Sequence, residues 1–144
     1  MRSAALIFAF VLAIAAGDVS TRALAASSSG CHFRVGDKVV LYSAGGDPSV
    51  FVWDSPVRLR DYNAASYDQA QAMVARATLV AGGTRALVAS CRANYVQSPY
   101  SDAPEDAVGI TIITGPQRGH DYWVLASDVR GVYHPIGKDR KSVV

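Results

Sequence analysis

The stretch from Gly115 to Val129 constrains this chain most. It reads Gly115-Pro116-Gln117-Arg118-Gly119, then His120-Asp121-Tyr122-Trp123-Val124-Leu125, then Ala126-Ser127-Asp128-Val129. Glycines flanking a proline mark a tight turn. Tyr-Trp-Val-Leu is a β-rich run. Ala126-Ser127-Asp128 leaves room for one helical turn before a last strand. That order is how a small barrel of roughly five or six strands completes its sheet. It points to a binding scaffold more than to a catalyst.

The residues upstream carry the same signature. Phe33 to Tyr42 alternates apolar and polar residues around a Gly36-Asp37 turn, and Val50-Phe51-Val52-Trp53 is a short β-rich run ended by Asp54-Ser55-Pro56. Val57-Arg58-Leu59-Arg60 alternates again and reads as a strand. Ser66-Tyr67-Asp68-Gln69 fits a capping box, so a helix is expected over residues 66–77 with Ala70, Met73, Val74 and Ala77 on one face. Thr84 to Cys91 reads as a strand, extended by Asn94-Tyr95-Val96. Gln97 to Asp106, with Pro99 and Pro104, reads as a loop. Val108 to Ile113 is the clearest strand, with Val108, Ile110 and Ile112 facing inward, and Gly131-Val132-Tyr133 closes the set. The expected fold is mainly β, a small barrel with one short helix insert.

The first residues have another character. Arg2 precedes an apolar run from Ala4 to Ala16, and Ala23-Leu24-Ala25 offers a small-x-small cleavage pattern. This is the form of a secretory signal peptide over residues 1–25, with Ala15 as a second possible cut. The run is well short of the ~20 residues that span a bilayer. The expected order is therefore a leader over 1–25, a small polar linker over 26–30, a barrel domain over 31–136 and a basic tail over 137–144. The expected location is periplasmic or secreted, with no stable membrane span. Formal net charge is +2 over 144 residues, and without the leader it is near zero. No basic stripe is left for nucleic acid.

Cys31 and Cys91 are the two cysteines. In an oxidising compartment an even pair most simply forms one disulfide. A metal site would need more soft ligands at short spacing, and His32, His120 and His134 lie in separate segments. No cofactor or metal is expected.

The segment from Gly83-Thr84 to Val129 resembles the second half of a bacterial Src-homology-3-like domain. Those domains run from a Gly-Thr strand through a hairpin to Gly-x-x-Gly-Trp-Val-x-x-Ser-x-Val. Here the close is Gly119-His120-Asp121-Tyr122-Trp123-Val124-Leu125-Ala126-Ser127-Asp128-Val129. Val57-Arg58-Leu59-Arg60 is similar to a strand near the start of that family. The resemblance covers about half of the chain after the leader, and it implies an exported barrel domain that binds a ligand. Peptide-binding members place Pro after Trp-Val and Tyr just before the final Val. Leu125 and Asp128 stand there instead, which argues against polyproline recognition.

Catalytic signatures are thin. No Gly-x-Ser-x-Gly elbow and no glycine-rich phosphate loop occurs. Glu105 and Asp106 lie together in a proline-rich loop and read as loop solvation rather than a glycosidase pair. A Cys–His hydrolase using Cys31 or Cys91 with a histidine is the alternative from another class, and an inhibitor or assembly factor is a third. The better signal is aromatic. Seven Tyr and two Trp exceed what a small core buries, and such side chains suit a shallow groove. The expected ligand-binding set is Tyr62, Tyr100, Tyr122 and Trp123, with Asp121 and Asp128. Tyr62, Tyr100 and Tyr122 are expected to converge on one face. Asp61, Asp121 and Asp128 at its edge favour a partner with basic or amino groups. The function expected is non-catalytic binding in the cell envelope, of a peptidoglycan fragment or a protein partner.

Overall fold

The computed structural model describes residues 30–132. The expected leader over 1–25, most of the linker, His134 and the basic tail lie outside the described residues. The order is β1 (Lys38–Leu41), β2 (Ser49–Val52), α1 (Pro56–Ala64), α2 (Tyr67–Val74), β3 (Thr78–Ala81), β4 (Arg85–Val96), β5 (Glu105–Ile112), β6 (Asp121–Leu125), a 3-10 turn (Ala126–Asp128) and β7 (Val129–Gly131). The fold is mainly β. Five strands form one antiparallel sheet in the order β6-β5-β4-β1-β7, and β2 and β3 form a two-stranded ribbon. Among the described residues, no helix is long and apolar enough to cross a membrane.

The sheet is buried on both sides where β5 runs through it. Val108, Ile110 and Ile112 meet Val39, Leu41, Val88 and Val124 in one core. Val50, Val52 and Val80 of the ribbon close over that same core. On the other side Ala107 packs with Trp53, Leu59 and Val96 in a second, smaller cluster. This is why Ala107, Val108, Gly109 and Ile110 are all buried in succession. A strand covered on both faces loses the alternation of a half-exposed one.

The segment expected as a strand over Val57–Arg60 is instead helical. Ser55 caps α1, its hydroxyl accepting the Arg58 N–H at 3.2 Å, and Pro56 occupies the first helical turn. Proline there has its φ already set and no N–H to lose. Val57 is exposed and Leu59 buried, because residues two apart fall on different sides of a helix. The second helix begins where its capping box placed it. Gln69 Oε1 accepts the Ser66 N–H at 3.2 Å. It ends at Val74, three residues short of the expected 77, and Ala75 to Ala77 form a turn. Met73 and Ala77 pack on the second cluster. The strand β3 had no sequence expectation: Leu79 is exposed, and pairing along β2 together with the buried Val80 holds it in the ribbon.

In β4 the register shifts between Val88 and Ser90 and again between Arg92 and Val96. The first shift puts Cys91 on the core face, where it bonds to Cys31, their Cα atoms 6.3 Å apart. At the second, Asn94 takes a φ of 51°, a region Asn tolerates better than most residues. Asp106 holds this corner. One carboxylate oxygen accepts the Asn94 N–H at 2.9 Å and the other accepts the His32 N–H at 3.0 Å. Glu105 accepts the Ser127 N–H at 2.6 Å and so fastens the 3-10 turn. The expectation that Glu105 and Asp106 merely solvate a loop is thereby corrected: both open β5 and accept backbone N–H groups that would otherwise lack partners.

Candidate functional site

Two sequence signals build the site. Ser55-Pro56 starts α1 immediately after Trp53, and the helix places Tyr62 back over that tryptophan. The two rings lie 4.8 Å apart, and Phe51 stands 6.4 Å from the tyrosine ring. Trp53 is almost fully buried and Tyr62 half-buried. Tyr62 therefore forms a wall with a fixed position rather than a free surface ring. Asn63 beside it is anchored by donating to the Leu59 carbonyl at 2.8 Å.

The 3-10 turn supplies the opposite wall. Asp128 accepts the Ala44 N–H through Oδ1 at 3.3 Å, and its carbonyl accepts the Tyr42 N–H at 2.8 Å. Burial pushes the Asp128 carboxyl above its ordinary pKa; the Ala44 N–H opposes this, and the Glu105 charge adds to it. Between the walls lies a cleft of about 290 Å³, lined by Ser43, Asp47, Trp53, Tyr62, Asn63 and Asp128 among others. Among the described residues, no Lys, Arg or His lines it. Its size is near the lower end for ligand pockets and admits a single amino-ended side chain or small ring.

A second, shallower depression of about 190 Å³ shares Tyr62 and Asn63 with this cleft and adds Tyr67, Ser98 and Tyr100. Tyr100 is 83 % exposed and Tyr67 71 %. The loop over 97–104 brings Tyr100 to the start of α2. The two depressions flank Tyr62, one acidic and one tyrosine-lined.

Of the residues expected to converge, Tyr62 joins Tyr100 on one side and Asp128 on the other. Tyr122 is elsewhere: it packs against the first core and stacks on His120, 6.1 Å away. Adjacent residues of a strand point to opposite faces, so Trp123 packs with the second cluster instead. Asp121 is exposed and accepts the Thr111 hydroxyl. It lines a separate depression with Ser90, Gly109 and Trp123. Asp61, expected at the groove edge, pairs with Arg60 on the exposed side of α1. Asp47 was missed; its Gly45-Gly46-Asp47 loop carried a turn signal with nothing to aim it at Asp128. Tyr67 was read only as part of a capping box.

No family model matches this chain. The searches of curated proteins and of solved structures return no match either.

The other chemical candidates resolve simply. Both cysteine sulfurs are in the disulfide. Cys31, Cys91 and Asp106 form a cluster of ligating residue types, but sulfurs bonded to each other are not thiolate ligands. A Cys–His reaction would need the bridge opened first.

Proposed function

We propose that this chain is an exported, non-catalytic binding module of Src-homology-3-like barrel type. In this reading it holds an amino-bearing group of a peptidoglycan fragment or of an envelope protein in the cleft beside Tyr62. The observation that carries it is the make-up of that cleft: Asp47 and Asp128 with the rings of Phe51, Trp53 and Tyr62, and no cation among the described residues that line it. Carboxylates beside aromatic faces attract ammonium groups by charge and by the ring quadrupole. Asp128 supports the same reading. Its charge is held partly out of water with one backbone N–H for company, and perturbed groups of this kind gather at functional sites.

The barrel reading draws on three features. The strand order β7-β1-β4-β5-β6 pairs the first described strand with the last, β1 with β7. A 3-10 turn precedes the last strand, and the ribbon closes over the first core. The helical start at Pro56 departs from the family's early strand, so the support rests on the part after Gly83. Export draws on the disulfide, which belongs to oxidising compartments.

The test is co-sedimentation of the oxidised protein with purified peptidoglycan, run beside capture from envelope extract. Wild type is compared with Asp128→Asn and Tyr100→Ala. Binding to one of the two materials, weakened by both substitutions, is expected. Binding to neither, or binding indifferent to both substitutions, overturns the reading.

A further inference from the structure

Another depression lies on the β4-β5-β6 part of the sheet, and it shares no lining residue with that cleft. Pairing aligns Ser90, Gly109 and Trp123 in a row across β4, β5 and β6, with Arg92, Ala107 and Leu125 in the next row. Gly109 is buried in the first row because two side chains occupy the space of its missing one. A Cβ there would sit 3.2 Å from the Trp123 ring and closer still to the Ser90 hydroxyl. The Trp123 ring thus covers Gly109 beside a depression of about 200 Å³.

The guanidinium of Arg92 stands over this ring, 5.3 Å from its centroid, and also 5.1 Å from the ring of Tyr95. Arg60 approaches the same tyrosine at 5.5 Å. Among the described residues the arginine–carboxylate pairs are Arg58–Asp54 and Arg60–Asp61, and Arg92 has none. Stacking on aromatic rings occupies the faces of a guanidinium and leaves its N–H edges free. Those edges match a carboxylate in a two-point fork. A second guanidinium, that of Arg60, approaches the same tyrosine and pairs with Asp61. Asp121, two residues from Trp123 on the same face, closes the far end of the depression with negative charge.

We propose that Arg92, held by Trp123 and Tyr95, is the anchor of a carboxylate-binding site on this face. Its ligand carries a carboxylate on a flat or cyclic body and hydrogen-bond donors at the other end. The carboxylate meets Arg92, the body lies beside Trp123 in the depression, and the donors meet Asp121 and the Ser90 hydroxyl. A sugar acid and a peptide carboxy-terminus share this chemistry.

The test is a nuclear magnetic resonance titration of the oxidised protein with D-glucuronate and, separately, with N-acetyl-glycyl-alanine. Glucose serves as the uncharged control, at constant ionic strength. A saturable shift of the Trp123 indole N–H and of the Arg92 side chain is expected with at least one carboxylate, and not with glucose. The arm that responds identifies the source. Arg92→Met keeps the cover over Trp123 and should weaken binding about tenfold or more, as loss of a charge-assisted hydrogen bond does. Arg92→Lys keeps the charge but loses the fork, and should also weaken binding. No saturable shift with either carboxylate, an equal shift with glucose, or unchanged affinity in Arg92→Met overturns the proposal. An unchanged thermal midpoint in Arg92→Met shows that any loss is not unfolding.

Discussion

Trp53 and Trp123 exchange both backbone hydrogen bonds, the N–H of each donating to the carbonyl of the other at 2.9 and 2.6 Å. This single antiparallel bridge joins the ribbon to the edge of the five-stranded sheet. α1 begins at Pro56, three residues beyond the bridge, and carries Tyr62 back to Trp53. Trp53 is 1 % exposed, and the Tyr62 ring lies tilted against it. Trp53→Ala should therefore cost about 3–5 kcal/mol, as large-to-small changes of buried aromatics do. Trp123→Ala, at a half-buried ring, should cost clearly less. Urea unfolding of the two variants checks the order, and equal losses would count against this account of the junction.

The floor beneath Trp123 makes a second expectation. Gly109 has no space for a side chain without moving Ser90 or the tryptophan ring. Gly109→Val should destabilise by roughly 1–3 kcal/mol through overpacking. In Gly109→Val, Trp123 fluorescence should shift toward that of an exposed indole as the ring is lifted. A variant with wild-type stability and an unmoved spectrum would contradict the contact.

The bridge between Cys31 and Cys91 closes a separation of 60 residues. The chain-entropy model gives such a loop ~4 kcal/mol. The Cys31→Ser/Cys91→Ser double variant should lose stability of that order in denaturant. Asp106 holds the same segment through the His32 N–H, so Asp106→Ala should cost less in the double variant than in the bridged protein. Contacts that constrain one segment are not additive. Strictly additive losses would show that the two ties act independently.

Asp128 gives a pH expectation. Burial raises its carboxyl above the ordinary value in the folded protein. A group raised in this way contributes stability that is fully present below its unfolded pKa and is lost as pH rises through its folded pKa. At neutral pH the charged form is thus a cost to the fold. Asp128→Asn can still accept the Ala44 N–H and removes that cost. It should be as stable as wild type or more so at neutral pH, with the advantage fading as pH falls through the ordinary aspartate range near ~4. Chemical denaturation across pH measures it. A variant less stable at neutral pH would reverse the sign and refute the role of burial.

Much of the fold could be read from single residues. The strand at Val108–Ile112, the turn before Asp121, the helical turn at Ala126–Asp128 and the start of α2 at Ser66 each carried a local signal that tertiary packing did not overrule. Val57–Arg60 misled because four residues of alternation fit one helical turn as well as a strand, and the deciding signal was the Ser55-Pro56 cap. Leu79 and Val80 carried too short a pattern to stand alone, since β3 is held by its pairing with β2 and by Val80 in the first core. Site residues were legible by type more than by place. Tyr62, Tyr100 and Asp128 meet around one wall, whereas Tyr122 was turned away by strand alternation beside Trp123. Asp47 reaches the cleft through the fold of its loop, which no local pattern encodes.

Tyr100 tests the tyrosine-lined side of the groove without touching the fold. Its ring is 83 % exposed, so Tyr100→Ala should leave the thermal midpoint unchanged. It should weaken ligand binding by ~1–2 kcal/mol, the scale of an aromatic contact at an interface. Calorimetry on the ligand recovered by sedimentation or capture would show it. Unaltered affinity would remove this depression from the site.

The central claim, that the cleft beside Tyr62 takes an amino group, is tested most directly by one titration. A peptidoglycan stem-peptide fragment with a free side-chain amine, and the same fragment with that amine acetylated, are added to the isotope-labelled oxidised protein. Backbone shifts are followed by nuclear magnetic resonance. The account predicts saturable shifts at Tyr62, Asn63 and Asp128 with the free amine, and their loss or strong weakening on acetylation, which removes the charge that Asp47 and Asp128 attract. Shifts centred away from these residues, or equal shifts with both fragments, would contradict it.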